Sequence, residues 1–348
     1  MRRWTSAGDI GLPAGSVLST RQRGRPESRI AVAIARRAGI VAWLCAFGAM
    51  STFVPYLPEA VAPGPARWLA GLASHWQWAY AVLSAAGAAL ALWLSSGRQL
   101  HVLLPLGLVA AAWLHQSPRT ETPAVPPASP AQFTVATANL NFERTDHAAL
   151  VAWLLSGDAP DVIALQEFTT SAMAAVTSPE VRAAYPHRVL VPSDDQFGLG
   201  VLSKYPVASL ETVTPVDLLA TLKLRLVLDV RGAKVALTAV HPMPPISAAY
   251  ARERDASLQL EARRLASADI PGVLLGDMND TPWSTGLRAT APLRRASGLV
   301  PTWPNLWGWL SFLPLDHVLV TPGFEIEEAS LGPDLGSDHR PVRVRLAP

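Results

Sequence analysis

One cysteine, Cys45, stands in a chain of 348 residues. No disulfide can form within one chain, and no cysteine metal site can exist. Charge is scarce as well. Asp, Glu, Lys and Arg make up 16% of the residues against 50% hydrophobic ones, and the mean hydropathy is +0.23. That is too apolar for an ordinary soluble protein and points to membrane segments. A basic excess is missing from the long C-terminal part. Residues 116–348 hold 19 basic and 24 acidic side chains, a balance of −5, so bulk charge argues against nucleic-acid binding there. The positive charge lies at the other end. Residues 1–37 carry eight Arg against Asp9 and Glu27, and residues 38–115 carry Arg67 and Arg98 against Glu59.

What is present divides the chain into four parts. Residues 1–37 read as a basic cytoplasmic tail, since 1–29 mix Gly, Ser, Pro and Arg without periodicity. Residues 38–115 read as a membrane region with two or three transmembrane helices. The runs 38–57 and 76–94 contain no charge, and about 20 apolar residues span a bilayer. A third run, 100–114, is short and holds His101 and Pro105; it could span, lie at the interface or re-enter. Tryptophans 68, 76, 78, 93 and 113 sit near run ends, as interfacial aromatics do. The Arg-rich tail should stay in the cytoplasm. Three crossings of the cytoplasmic membrane would place everything after Leu114 outside, and the loop with Arg98 inside. Residues 116–132 carry five prolines and read as a stiff, extended linker.

From Phe133 to the end, residues 133–348, short apolar strands alternate with amphipathic segments. Strands are expected at 133–138, 162–165, 200–203, 218–230, 234–240, 315–320 and 342–346, and helices at 146–155 and 247–268. The stretch Gly272-Val-Leu-Leu-Gly-Asp277-Met-Asn279 organises this part. Four small or aliphatic residues form a buried strand, Gly276 allows a sharp turn, and Asp277 and Asn279 share one face if the chain stays extended.

Polar residues collect at the strand ends: Asn139, Asn141, Glu167, His241, Asp277, Asn279, Asp316, Asp338 and His339. In an open α/β arrangement such ends gather at one edge and form a site. Taken singly, each has a plainer reading. The asparagines could cap a helix, His241 could be a satisfied core histidine, and Ser337-Asp338-His339 could be a loop cap. Together they make a pattern. Thr137-Ala-Asn139-Leu-Asn141, Leu165-Gln-Glu167, Gly200-Val-Leu-Ser-Lys-Tyr-Pro206, Val240-His241, Gly276-Asp277-Met-Asn279, Leu315-Asp316-His317 and Ser337-Asp338-His339 follow in order. This series resembles the endonuclease/exonuclease/phosphatase superfamily, the DNase I-like metal phosphoesterases.

The resemblance implies a four-layer α/β/β/α sandwich over 133–348, preceded here by transmembrane helices. It implies a metal-dependent phosphoric ester hydrolase, with Glu167 as principal Mg²⁺ ligand and Asn141 and Asp338 near the metal. Hard oxygen ligands suit Mg²⁺ or Mn²⁺. Asn139 and Asn279 would hydrogen-bond phosphate oxygens, and Asp316 would orient His339. His339 would serve as base or phosphate clamp, and His241 as general acid or oxyanion donor. Some branches give the base role to the carboxylate at Asp277. Asn141 stands where some relatives carry Asp. The chain also resembles the membrane-bound phosphoesterases linked to glycopeptide-antibiotic resistance, which share an apolar N-terminus. The leading expectation is therefore a membrane-anchored phosphoesterase at the outer face of the cytoplasmic membrane, in contact with the lipid bilayer. Its substrate would be a phosphate ester, lipid-linked phosphate or pyrophosphate among the options. A metal-dependent nuclease is less favoured by charge, and a non-catalytic tethered binding module is the third reading. The loop 301–314, with Trp303, Trp307, Trp309 and Phe312, either packs on its own core or forms an apolar lip for a lipid.

Overall fold

The computed structural model describes residues 29–94, 100–116, 132–216 and 219–347. The tail before Arg29, the loop 95–99 with Arg98, and linker residues 117–131 lie outside the described residues. Four helices come first: α1 (Arg29–Met50), α2 (Gly64–Ser74), α3 (Gln77–Leu94) and α4 (Leu100–Gln116). Helix α1 starts nine residues before the apolar run, because Ile30, Val32 and Ile34 extend the helix-compatible pattern into what was assigned to the tail. Pro55 falls in a 3-10 turn at Ser51–Tyr56. The segment α1 through that turn and α3 are long and apolar enough to cross a membrane; the apolar part of α4, Leu103–Leu114, is shorter. Helix α4 packs on both α1 and α3, with Val109 and Ala112 against Cys45, Ala46 and Ala49.

Among the described residues, twelve strands and five more helices follow. The strands are β1 (Phe133–Asn139), β2 (Val162–Gln166), β3 (His187–Val191), β4 (Leu199–Ser203), β5 (Val207–Val213), β6 (Lys223–Val230), β7 (Ala233–Val240), β8 (Gly272–Asp277), β9 (Arg294–Arg295), β10 (Asp316–Val320), β11 (Glu325–Leu331) and β12 (Val342–Ala347). The helices are α5 (Ala148–Leu154), α6 (Thr170–Val176), α7 (Pro179–Ala184), α8 (Ala248–Ala266) and α9 (Thr285–Arg288). They form two six-stranded sheets, β11-β12-β1-β2-β4-β3 and β5-β6-β7-β8-β10-β9.

Side-chain alternation explains the layers, since successive strand residues point to opposite faces. Val162 and Ala164 of β2 join a core shared by both sheets, with Leu226, Leu237, Val273 and Val318. Their neighbours Ile163 and Leu165 pack outward with Leu150, Trp153 and Val181 of α5 and α7. On the second sheet Leu274 and Leu319 point outward to Leu258, Ala262 and Leu265 of α8. The order is helices, sheet, sheet, helices.

Two local expectations are corrected. Gly276 does not end its strand. It pairs with His317 inside β8, and a Cβ there would lie 1.9 Å from the Val240 carbonyl oxygen. Glycine is present so that β7 can approach, not to make a turn. The strand expected over 218–230 begins at Lys223; Leu218 is outside the described residues.

The N-terminal helices touch the sandwich directly. Trp68 Nε1 donates to the Pro245 carbonyl (2.8 Å), and Arg288 to the Tyr56 hydroxyl (2.9 Å). Trp78 stacks on Phe312 at 5.8 Å, and Trp113 lies 5.9 Å from Trp283. The end of the α1 segment, the start of α3 and the end of α4 therefore all meet the same body. The opposite end of α1, with Arg29, points away.

Candidate active site

The topology brings the polar strand ends to one edge. Asn139 closes β1, Glu167 follows β2, His241 follows β7, and Asp277 closes β8. Strand β10 runs antiparallel to β8, so its first residue, Asp316, pairs with Asp277 in register. Strand β12 runs antiparallel to β1, which places His339 just before it at the same edge.

Asp277 Oδ2 is the centre of the group. Asn139 Nδ2 donates to it at 3.1 Å, and His241 Nε2 and His339 Nε2 stand 3.5 and 3.6 Å away. Asp316 Oδ2 lies 2.8 Å from His339 Nδ1, which fixes the ring and its tautomer. His241 Nδ1 faces the Gln196 carbonyl at 3.2 Å. Both carboxylates are almost fully buried. Burial alone would lower the His339 pKa, but the charges of Asp316 and Asp277 outweigh it and push it up to about 10. Burial works the same way on His241 and is again outweighed, by the hydrogen bond and charge of Asp277 and by Glu167. Burial would raise Asp277, yet the imidazoles of His339 and His241 hold it well below the usual carboxylate range. Asp316 is raised by burial, which His339 offsets only in part. The result is an ionised carboxylate facing two proton-bearing rings.

The remaining site residues flank this centre. Asn139 donates to Glu167 Oε1 as well (2.9 Å) and accepts from the Asn141 backbone (2.9 Å), so both its amide hydrogens are engaged. Glu167 Oε2 accepts from Phe142 N at 2.8 Å. Asn141 Nδ2 donates to Asp338 Oδ1 (3.0 Å), and Trp303 Nε1 to Asp338 Oδ2 (3.2 Å). Asn279 does not continue the strand. Its φ is +49°, its N–H returns to Asp277 Oδ1 (2.9 Å), and its side chain donates to the Pro242 carbonyl (3.0 Å). Asp277 and Asn279 are thus joined by a turn rather than by an extended face. Asn141 and Glu167 also have positive φ, +59° and +53°. Such conformations cost about 1–3 kcal/mol each and persist where surroundings over-determine them, as at active sites.

A family model described as "Endonuclease/Exonuclease/phosphatase family" matches residues 136–339. The chain belongs to this family. Its members are generally phosphodiesterases or phosphatases and typically depend on a divalent metal. Among solved structures, a humanized D. rerio TDP2 carrying 14 mutations is 16% identical, with a TM-score of 0.52 over 63% of this chain and 100% of that one. A D. rerio TDP2 complexed with a single-strand DNA product is 17% identical, with a TM-score of 0.51 over 62% and 99%. A Bacteroides thetaiotaomicron endonuclease/exonuclease/phosphatase family protein is 16% identical, at 0.51 over 63% and 98%. At these identities the likeness is one of fold. No curated protein matches the chain.

Two groups of the family site fit a divalent cation. Asp277, Asp316 and His339 offer ligand atoms within 4.8 Å of one another, and Asp316 Oδ1 is buried with no hydrogen-bond partner among the described residues. This set already contains its own countercharge in the histidines. Glu167 and Asp338 do not. Among the described residues no Lys or Arg pairs with either, and Glu167 has only His241 at 4.0 Å. Oxygen donors without sulfur suit Mg²⁺ or Mn²⁺. Glu167 accepts from Phe142 N, the residue after Asn141, and Asn141 donates to Asp338, so hydrogen bonds join the three residues.

Sequence reading missed the support beneath the site. Arg254 of α8 donates to the Asn279 carbonyl (2.6 Å), and the buried Asp280 is 3.3 Å from the same guanidinium. Asp280 could have been suspected from its place beside Asn279; Arg254, in a run of charged helical residues, gave no signal.

The two ligand sets predict different outcomes. Glu167→Gln is expected to weaken Mn²⁺ affinity by about tenfold or more, whereas Asp316→Asn should leave it little changed, because Asp316 braces His339 and none of Glu167, Asn141 and Asp338. Titration calorimetry of the full chain measures both. A larger loss in Asp316→Asn would assign the ion to the Asp277–Asp316–His339 set.

Proposed function

We propose that the protein is a divalent-metal-dependent phosphoesterase, held at the membrane by its N-terminal helices and acting on a lipid-linked phosphate or pyrophosphate at the outer face. The observation that carries the hydrolase reading is Asp277 Oδ2 facing Asn139, His241 and His339 at 3.1, 3.5 and 3.6 Å. A water resting against these groups would meet an ionised acceptor in Asp277 and donors in the two imidazoles. Asp277 takes its proton as it attacks phosphorus. His339, braced by Asp316, and His241 donate to the phosphoryl and leaving-group oxygens, where negative charge grows. Asn279, on the turn locked to Pro242, lies at the rim to hold a further phosphate oxygen. Asn139 braces Glu167 against Asp277, rather than standing free for phosphate. A divalent ion held by Glu167, Asn141 and Asp338 would neutralise phosphate charge and position the substrate.

The membrane part of the reading rests on the bundle. Leu44, Phe47, Trp93 and Leu114 are 66, 83, 82 and 74% exposed on the helices, an apolar surface that calls for lipid. The end of the α1 segment, the start of α3 and the end of α4 meet the sandwich, while Arg29, Arg36 and Arg37 lie in the first half of α1, which supports three crossings with a cytoplasmic N-terminus. The lipid part rests on the tryptophan loop. Trp307 and Trp309 stack at 6.2 Å and are 78 and 72% exposed, so they do not pack on the loop's own core. Beside them an apolar groove of about 420 Å³ runs between Trp78 and Trp113 of the helices and Trp283, Leu299, Leu310 and Phe312 of the sandwich. The same loop holds Asp338 through Trp303. A hydrocarbon chain in the groove would leave its phosphate near the site.

Three outcomes test these parts separately. His339→Ala and His241→Ala should each lower turnover of a chromogenic phosphodiester by about 10²–10⁴-fold with the fold intact; wild-type turnover in both would sink the mechanism. Replacing Trp307 and Trp309 by Ser should weaken liposome binding and lipid-phosphate turnover while sparing a small soluble ester. Equal loss of both activities would remove the lipid argument. A C-terminal reporter that works only after export should be active; activity only in the cytoplasm would mean two crossings and an inward-facing site.

A further inference from the structure

Helix α2 lies between the two turns that carry His241 and Asp277. From its middle, Trp68 Nε1 donates to Pro245 O, three residues past the Pro242 carbonyl that Asn279 Nδ2 engages. At its C-cap, His75 Nδ1 lies 2.8 Å from Thr281 Oγ1 and 3.8 Å from Asp280 Oδ1. Thr281 and Asp280 are fully buried, and Asp280 continues the network. It pairs with Arg254, accepts from Ser284, and passes its carbonyl to His317 Nε2 at 2.9 Å. Arg254 in turn holds Asn279 O at 2.6 Å and Asp255 Oδ1 at 2.8 and 2.9 Å. Burial, with the Arg254 charge, lowers the His75 pKa to about 3. His75 is a neutral hydrogen-bonding partner there, and Arg254 is the cation.

The other side of α2 is equally constrained. Arg67 Nε, Nη1 and Nη2 donate to the carbonyls of Ala62, Pro55 and Leu57 at 2.8, 2.8 and 2.5 Å. This locks the connection from α1 into α2. A helix fixed at one side to α1 and at the other to two catalytic turns is a brace. Asn279 is held in a left-handed conformation that it would leave if its neighbours gave way.

We propose that α2 sets the spacing of the Asp277–Thr281 and His241–Pro245 turns, with His75 as a positioning residue. The N-terminal helices are then part of the catalytic unit and not only its tether. This rests on the phosphoesterase reading for its kinetic readout only. The mechanism requires both turns to hold their side chains around one water, and displacement by about 1 Å can cost on the order of 10²-fold.

The test uses the full chain in detergent, with bis(p-nitrophenyl) phosphate as substrate and hydrogen exchange of residues 278–283 as a second readout. His75→Phe keeps the packing volume and loses the hydrogen bond; His75→Asn keeps a polar group where Nδ1 lies. The expected result is a fall in kcat of about 10–100-fold in His75→Phe with KM within about twofold, faster exchange in the turn, and recovery of most of both in His75→Asn. Thr281→Val added to His75→Phe should lower kcat little further, as partners in one interaction are non-additive. If His75→Phe does not fold, Trp68→Phe provides the same test through Pro245. A folded His75→Phe protein with wild-type kcat and exchange overturns the proposal, and so does a His75→Asn protein no better than His75→Phe. If the wild-type chain hydrolyses no phosphoester, the phosphoesterase reading fails. Exchange in the turn then decides the brace alone, and unchanged exchange in His75→Phe rejects it.

Discussion

Asp277 and Asp316 face each other across adjacent strands, both almost fully out of water. Two carboxylates in that position cannot both stay charged without compensation, since burying an unpaired ion costs several kcal/mol. His339 bridges them, its Nδ1 on Asp316 and its Nε2 toward Asp277, and His241 closes on Asp277 from β7. The arrangement of the site follows from this need. Histidines must arrive from two other strand ends, so β7 and the segment before β12 have to finish at the edge where β8 ends and β10 begins. The two-sheet architecture meets that condition, because β1, β2, β7 and β8 all end where β10 and β12 begin.

The same edge concentrates backbone strain. Asn141, Glu167 and Asn279 have positive φ values, and each is held by hydrogen bonds to its neighbours. Glu167 is the least expected of the three, as a long side chain rarely adopts this conformation. Its carboxylate accepts from Asn139 Nδ2 and from Phe142 N. On that side Glu167 has His241 at 4.0 Å as its nearest positive partner and no Lys or Arg among the described residues, a setting in which a divalent ion has a physical reason to bind.

The helical region and the sandwich are joined by polar as well as apolar contacts. Aromatic pairs such as Trp78–Phe312 and Trp113–Trp283 form a greasy seam. The His75–Thr281 bond and the Asp280–Arg254 pair next to it are buried and satisfied. Buried polar networks of this kind rigidify what they join, and they are costly when half-satisfied. The seam therefore fixes a geometry, whereas a proline linker alone would leave the two parts free to reorient.

Much of this was legible in the sequence. Strand-end Asn139, Glu167, His241, Asp277, Asp316 and His339 stand out because each lies at the end of a short, mostly apolar run, and most of these runs are buried along their whole length. The apolar helices are legible for the same local reason. Edge strands β5 and β11 were not, since most of their residues are exposed or half-buried and mix polar with apolar ones, which leaves no apolar pattern. Gly276 illustrates the limit at one residue. Its need for glycine comes from the Val240 carbonyl on another strand, which no local pattern reports. Arg254 and Asp280 look like solvated charge in the sequence and prove buried only when α8 and α9 close over them. His75 and Thr281 are 206 positions apart and meet only in the folded chain. Local periodicity and residue type therefore determined which strands form and which side chains end them. Packing between distant segments decided which carboxylate faces which imidazole, and it brought the first helices to rest on the site.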